Sequence, residues 1–546
     1  MNNLQQKLFT LLLEIDDICN RHDITYYLAG GTALGAVRGG KVLPWDDDAD
    51  IYITRDNWEK LKPVMEKELP EGREFACVEN TPLYNHPIGA YYDSNSTLIL
   101  RQNMLIGKAC GQMVEFLIMD PMPTDDQGKW NHRRWLKVYT ELLSPYIVIN
   151  GKIREVNVDY DYELYQEYYE RMKEKGREKI LAEVKEKFTQ ASEEEADTFC
   201  MRWGIETLMY PKSGFGTPRR VKMEGKMLPV GEHAERIFRI AYGDGWMYVP
   251  VPDEKVIHRR DIDVDIPYKR YTDIFLPLID REEILQAHEV RKRNITDVMP
   301  NREAFEWEMA KLRGEAFAVE IVKEPFDAKQ MATWLESQEF DKLEAFYKPF
   351  YQFIKEKYVK RNAIIPEAEE EYLYYALMTP IMKGEYYRIM SVISILERKQ
   401  RIVGTLEKAA EAAHFCRKLS VAMYDEKDNN QVKAILDEGK QWDNLRDYQK
   451  AVLWLLKEET EKLPEEEERK EQLTKLYEKA FELSRHFVMD GEILGYMAYA
   501  KWMLGFEEEA KGVYETAVSQ SRNGFLWKEA EELAGVIHRE KEEYDN

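Results

Sequence analysis

The stretch Leu28-Ala29-Gly30-Gly31-Thr32-Ala33-Leu34-Gly35-Ala36-Val37-Arg38-Gly39-Gly40-Lys41-Val42-Leu43-Pro44-Trp45-Asp46-Asp47-Asp48-Ala49-Asp50-Ile51-Tyr52-Ile53 carries glycines at one end and carboxylates at the other. Ala49, Ile51 and Ile53 recur with the period of a half-buried strand, which predicts Asp46, Asp48 and Asp50 on the opposite face. Like charges along one face repel, so such a row calls for a counter-ion. Oxygen ligands select a hard cation, Mg²⁺ or Mn²⁺, of the kind that also holds substrate phosphates. At the other end, Gly30 and Gly31 lack a Cβ, so backbone N–H groups there can approach a phosphate closely. Thr32 adds a hydroxyl donor, and Arg38 and Lys41 offer charge to further phosphate oxygens. A site of this kind needs a second strand to deliver one more acid, and Met113-Val114-Glu115-Phe116-Leu117-Ile118 and Asp120 supply candidates. An acidic, solvated turn after a glycine-rich loop is the alternative for an isolated acidic run. The coupling of Gly-Gly-Thr to Asp-x-Asp argues against it.

Two blocks, Gly30 to Arg38 and Pro44 to Ile51, resemble the LicD family of phosphocholine transferases, relatives of the fukutin-type enzymes in the nucleotidyltransferase superfamily. That resemblance implies an α+β nucleotidyltransferase-like N-terminal domain, a mixed sheet flanked by helices. It implies Asp48, Asp50 and Glu115 as catalytic and metal-holding residues beside the diglycine of Gly30 and Gly31; with Thr32, Arg38 and Lys41, offered by their own chemistry, those glycines make the phosphate-binding set. The family usually has Asp at the position of Glu115, while the wider superfamily accepts either acid. A looser second match runs from Met223-Glu224-Gly225-Lys226 through Gly243-Asp244-Gly245-Trp246 to Val249-Pro250. It extends the resemblance to about His258.

Composition narrows the function classes. The chain has 546 residues, more than one core usually organises, so at least two domains are expected. A formal charge of -23 opposes polyanions and disfavours a nucleic-acid partner. Five cysteines stand far apart without metal-ligand spacing and read as reduced, buried thiols. Met1 to Leu13 lacks the basic region and small-residue cleavage site of a signal peptide, and no apolar run approaches a bilayer span. The expectation is a cytoplasmic protein with at most peripheral contact at the inner membrane face.

In chain order, Leu4, Leu8, Leu11, Ile15 and Ile18 predict an amphipathic first helix. Ile24 to Leu28 predicts a strand into the glycine turn, and Thr32 the start of the next helix. Asn57 to Leu69 reads as a helix, Phe75 to Val78 and Ile88 to Asp93 as strands, and Asp120 as a cap of the following turn rather than a metal ligand. Residues 130–207 read as helical. Their tyrosines, among them Tyr165, Tyr168 and Tyr169, suit either a helical core or a cage for a quaternary ammonium. Lys212 to Arg220 reads as a basic loop, facing either an anionic substrate or solvent.

From Glu303 onward helix formers and acidic runs dominate. Ala510, Tyr514 and Ala517 repeat the pattern of Leu473, Tyr477 and Ala480 at an offset near the ~34 residues of a tetratricopeptide repeat. This predicts an all-α, solenoid-like (TPR-like) region. The expected organisation is a catalytic domain over 1–275, a connecting segment over 276–300 and the helical region over 301–546.

If the LicD resemblance carries through, the activity is metal-dependent transfer of phosphocholine, or a related phospho-alcohol, from CDP-choline or another CDP-alcohol to a hydroxyl of a cell-surface glycan or its precursor. Teichoic acid, lipopolysaccharide and capsule are all open as acceptors. Two alternatives stand beside it. One is a catalytically silent adaptor whose helical region docks a protein partner; the other is transfer of ribitol phosphate or a nucleotide by the same metal site.

Overall fold

The computed structural model describes residues 1–99, 106–143, 148–149, 152–153, 156, 158, 161–203, 206–248, 250, 255, 258, 261–278, 302–321, 325–355, 365, 368–487 and 490–520. The chain forms two compact units, Met1–Phe238 with Glu254–Pro300, and Arg239–Asp253 with Asn301–Asn546. Of the connecting segment expected at 276–300, the part from 279 onward lies outside the described residues.

In the first unit, α1 (Asn3–Arg21) buries Leu8, Leu11, Leu12, Ile15 and Ile18, the stripe its spacing predicts. The short strand β1 (Tyr27–Leu28) leads into α2 (Gly30–Gly39). Strand β2 (Asp50–Thr54) follows, then α3 (Arg55–Lys67), β3 (Arg73–Ala76), β4 (Gly89–Asp93) and β5 (Thr97–Ile99). The long β6 (Gln112–Pro121) is the hub. It pairs in parallel with β2, antiparallel with β4 and, through Asp120 and Pro121, antiparallel with β7 (Thr198–Trp203). With β8 (Glu206–Pro211) hydrogen-bonded to β7, these strands, β5 excepted, make a mixed seven-stranded sheet flanked by helices.

Register sorts the chemistry from the core. Asp50 faces Glu115, Tyr52 faces Leu117 and Thr54 faces Met119, so these six share one face of the β2–β6 pair. Tyr52, Leu117 and Met119 pack there with Tyr27, Phe199 and Phe215. On the other face Phe116 meets Trp58 of α3, ring centroids 5.5 Å apart. The two acids therefore lie on the same face as a closed aromatic core.

Two expectations are corrected, and one left open, the role of the tyrosines, is decided in favour of the core. Thr198–Trp203 and Glu206–Pro211 form an antiparallel strand pair, not the end of a helical region, because Phe199 and Met201 alternate onto the sheet core. The helical reading holds upstream, over Asp126–Leu143, Tyr162–Lys175 and Arg177–Phe188. Asp120 caps nothing: it lies on β6, 2% exposed, in a two-point ion pair with Arg55 (2.7 and 3.0 Å). Tyr165 and Tyr168 are buried in the helical core, with Trp135 edge-on to the Tyr168 ring and the Arg171 guanidinium 4.4 Å from its centroid, so the cage reading loses its open ring faces.

The second unit is mostly helical. Its later helices Arg446–Glu461, Glu466–Ser484, Gly491–Met503 and Glu507–Gln520 pack consecutively. Leu473, Ala480, Ala510 and Ala517, four of the positions in the repeat-like pattern, are buried. Gly505 turns the chain between the last two helices at φ 86°, a conformation glycine adopts without strain. No described helix is long and apolar enough to cross a membrane.

Candidate functional site

The site is assembled by hydrogen bonds that sequence spacing does not show. Ala29 N–H donates to the Asp50 carbonyl (3.0 Å), and Asp50 N–H donates to the Thr32 hydroxyl (3.1 Å). These bonds tie the glycine turn to the start of β2. Thr32 is buried and its oxygen is engaged in positioning Asp50, a role the sequence reading had not given it. The helix begins at Gly30, two residues before the expected start, so both glycines lie in its first turn. Ala29 supplies no side-chain cap, and the first-turn N–H groups of α2 have the polarity that suits an anion.

The acidic run divides. Strand geometry starts only at Asp50, so Asp46 is not the next member of a strand row. Its carboxylate packs against Gly31, where a Cβ would sit 2.9 Å from Oδ2. Burial, and then the charges of Asp48 and Asp47, push the Asp46 carboxyl up to about 7. Such crowding of acids is what a cation relieves, and the oxygen-rich donor set fits a hard divalent ion. Asp47 and Asp48 approach His258, whose Nδ1 lies 2.9 Å from Asp47 Oδ1 and 3.1 Å from Asp48 Oδ2. Among the described residues, Asp47, Asp48 and His258 bring one ligand atom each within 4.8 Å of one another. Asp50 and Glu115 lie side by side on β2 and β6, with Glu115 N–H donating to the Ala49 carbonyl (3.0 Å). Arg38 lies 5.9 Å from the Trp45 ring centroid, and Lys41 is exposed at the turn after α2.

Three further residues hold this loop, and neither composition nor spacing announced them. Gln5 of α1 is 5% exposed and donates from Nε2 to the carbonyls of Leu43 (3.0 Å) and Asp46 (3.1 Å). His258 was recognisable only as a lone histidine at the end of the second motif. Glu224 sits at the tip of the hairpin formed by β9 (Arg219–Met223) and β10 (Lys226–Val230), which replaces the loop reading of its first two residues. Glu224 and Gly225 adopt φ 47° and 80°, the left-handed pair of a tight two-residue turn. From there Glu224 Oε1 accepts the Val42 N–H (3.0 Å), and Glu224 N–H donates to the Gly40 carbonyl (2.8 Å). The hairpin thus clamps the chain between α2 and the acids.

Glu224→Ala is expected to cost about 1–2 kcal/mol in urea unfolding, the value of a charge-assisted hydrogen bond at a half-buried site. Glu224→Gln, which keeps the acceptor oxygen, should recover most of it. Equal losses in both variants would show that the side chain acts by some means other than this bond.

Residues 23–86 match a family model described as LicD/FKTN/FKRP, nucleotidyltransferase domain. This segment is LicD-type. The match takes in the glycine turn, Asp48 and Asp50, and ends before Glu115. A lipopolysaccharide cholinephosphotransferase LicD of Haemophilus influenzae is 28% identical over 109 residues, 20% of this chain and 40% of that protein. An uncharacterised protein of Rickettsia prowazekii is 33% identical over 58 residues, 11% of this chain and 22% of that protein. The chain therefore spans less than half the length of the curated relatives it matches. The LicD-type segment holds α2, β2 and the acidic loop, and the second unit lies outside the family match.

Proposed function

We propose that this chain transfers phosphocholine, or a related phospho-alcohol, from a CDP-linked donor to a hydroxyl of a cell-surface glycan or its precursor. One observation carries the reading: Asp50 and Glu115 lie as register partners on parallel strands, joined by Thr32 to the diglycine turn of a LicD-type segment. The likeness to a lipopolysaccharide cholinephosphotransferase supports the choice of phosphocholine and of a glycan acceptor. In this reading the first unit is a nucleotidyltransferase-like domain and the helices of the second form a TPR-like solenoid that binds the acceptor or a protein partner. The site of action is cytoplasmic, peripheral at the inner membrane face.

Asp48, Asp50 and Glu115 would hold Mg²⁺ or Mn²⁺. When bound, the cation offsets negative charge on the transferring phosphoryl group and the departing CMP. The first-turn N–H groups of Gly30, Gly31 and Thr32 receive the donor's phosphates, and Arg38 and Lys41 supply further positive charge. Asp50 or Glu115 accepts the proton of the acceptor hydroxyl as its oxygen bonds to phosphorus and the bond to CMP breaks. Gln5 and Glu224 touch no substrate; they hold the loop that carries the acids.

The test is incubation of the full chain with Mg²⁺ or Mn²⁺, a panel of CDP-alcohols and glycan acceptors, with CMP read by mass spectrometry. Acceptor-dependent CMP release from CDP-choline is the expected result. Release from CDP-ribitol alone would move the assignment to ribitol phosphate, and a nucleotide product joined to the acceptor would move it to nucleotidyl transfer. No turnover, together with no thermal shift by any cytidine nucleotide plus Mg²⁺, would favour the silent adaptor, since a ligand of the folded state must raise its stability.

A further inference from the structure

We propose that His258 is a nitrogen ligand of the divalent cation at the acidic loop, with Asp47 and Asp48 as its oxygen neighbours. The inference rests on the reading above that these acids serve a cation, and it goes further in adding Asp47 and His258 and in shifting the preferred metal.

The geometry is that of a chelate. His258 Nδ1 stands 2.9 Å from Asp47 Oδ1 and 3.1 Å from Asp48 Oδ2. Ligands about 2.1 Å from an octahedral cation, at right angles to each other, are ~3 Å apart. Both separations from Nδ1 match neighbouring corners of that octahedron, and all three atoms lie within 4.8 Å of one another, so a cation can sit among them. The side chains of Asp47 and Asp48 are 12% and 13% exposed and that of His258 is 36% exposed, so the group has one side towards protein and one towards solvent or substrate. That open side leaves a corner for a donor phosphate or water.

A second contact shows that the segment bearing His258 is brought to this loop at more than one point. Lys255 Nζ lies 4.6 Å from the Trp45 ring centroid, next to the acids in sequence. Lys255 and His258 thus meet the acidic loop on either side of Asp46.

The ligand chemistry has a consequence for the ion. Carboxylate and water ligands suit Mg²⁺ and Mn²⁺ alike, whereas an imidazole suits transition metals. One nitrogen among the donors tilts the site from Mg²⁺ towards Mn²⁺. Replacing His258 therefore weakens Mn²⁺ binding more than Mg²⁺ binding.

The experiment uses the full chain loaded with Mn²⁺ alone, read by electron spin-echo envelope modulation for nitrogen coupled to the metal and by titration for affinity. Wild type is expected to show nitrogen coupling that disappears in His258→Gln, with Mn²⁺ affinity down tenfold or more and Mg²⁺ affinity down less than threefold. Asp47→Asn is expected to weaken Mn²⁺ tenfold while keeping the nitrogen signal, which guards against a His258 variant that fails for other reasons. Mn²⁺ bound by wild type without nitrogen coupling, at an affinity unchanged in His258→Gln, would overturn the proposal and leave His258 as an ion-pair partner of the acids. Unchanged affinity in Asp47→Asn would overturn the trio. Mn²⁺ binding that Asp48→Asn also leaves untouched would instead sink the cation reading of the acidic loop itself.

Discussion

CMP release from CDP-choline is expected to fall by at least roughly 10³-fold when Asp48 and Asp50 are both replaced by asparagine, while the fold survives. The magnitude follows from removing the charges that hold the cation, an effect of about 4 kcal/mol on the transition state, with each ~1.4 kcal/mol worth a factor of ten. The fold is expected to survive because asparagine keeps the backbone bonds that place residue 50: its N–H donates to Thr32 and its carbonyl accepts from Ala29. Asp48 precedes the strand altogether. Replacing Asp48 also relieves repulsion on Asp46, whose carboxyl is pushed up to about 7 by burial and then by the charges of Asp48 and Asp47. Rates with acceptor and Mg²⁺, read beside thermal melts of both proteins, check both halves. Equal rates would end the transferase assignment, and a collapsed melt would show that the carboxylates carry structure as well.

How far the sequence could be read depends on the range of the interaction concerned. Period-two alternation through Ile51 and Ile53 is local, and β2 lies where it predicts; the pairing of Asp50 with Glu115 follows once the Val114 to Ile118 strand is placed beside it. Asp46 departed from the pattern because Gln5, far away in the chain, hooks the Leu43 and Asp46 carbonyls and keeps the run out of strand geometry until Asp50. Only glycine at position 31 leaves room for the Asp46 carboxylate, a steric fact that spacing alone conflates with phosphate binding. Arg55 and Asp120 form a buried pair between the start of α3 and the end of β6, and nothing local marks either as the other's partner. Glu224 and His258 are the same case at greater separation. Helical patterning misled over Thr198–Trp203 for a different reason: that stretch mixes aromatic, sulfur-bearing and basic residues that fit both periods, and pairing with β6 decided it.

The second unit offers the largest stability effect. Arg446 donates to both oxygens of Asp490, one bond measuring 3.0 Å, and to Glu492 (2.8 Å). Lys450 stands 3.4 Å from Asp447 and 3.7 Å from Glu492, and the side chains of all five are at most 13% exposed. Two cations thus face three carboxylates away from water. Arg446→Met leaves one cation to serve all three, and removing one partner of a buried pair costs about 3–5 kcal/mol. For a unit of this size that lowers its melting temperature by roughly 10 °C. Asp490 also caps the helix Gly491–Met503 by accepting the N–H groups of Glu492 and Ile493, so its displacement frays that helix too. The pH dependence has a definite sign. Burial pushes the Asp490 carboxyl up, but the Arg446 charge and hydrogen bonds outweigh it and hold the group below the ordinary aspartate value. A depressed carboxyl contributes stability that is present above its unfolded-state value, about 3.9, and lost as pH falls through the folded one. The deficit of Arg446→Met relative to wild type should therefore be full at pH 7 and shrink below about pH 4. Adding Glu492→Gln to Arg446→Met should restore part of the loss at neutral pH, since it removes one of the stranded charges. Melts of the three proteins between pH 3 and 7 measure this directly, and a deficit that stayed constant with pH would mean that Arg446 stabilises the unit by packing rather than by charge.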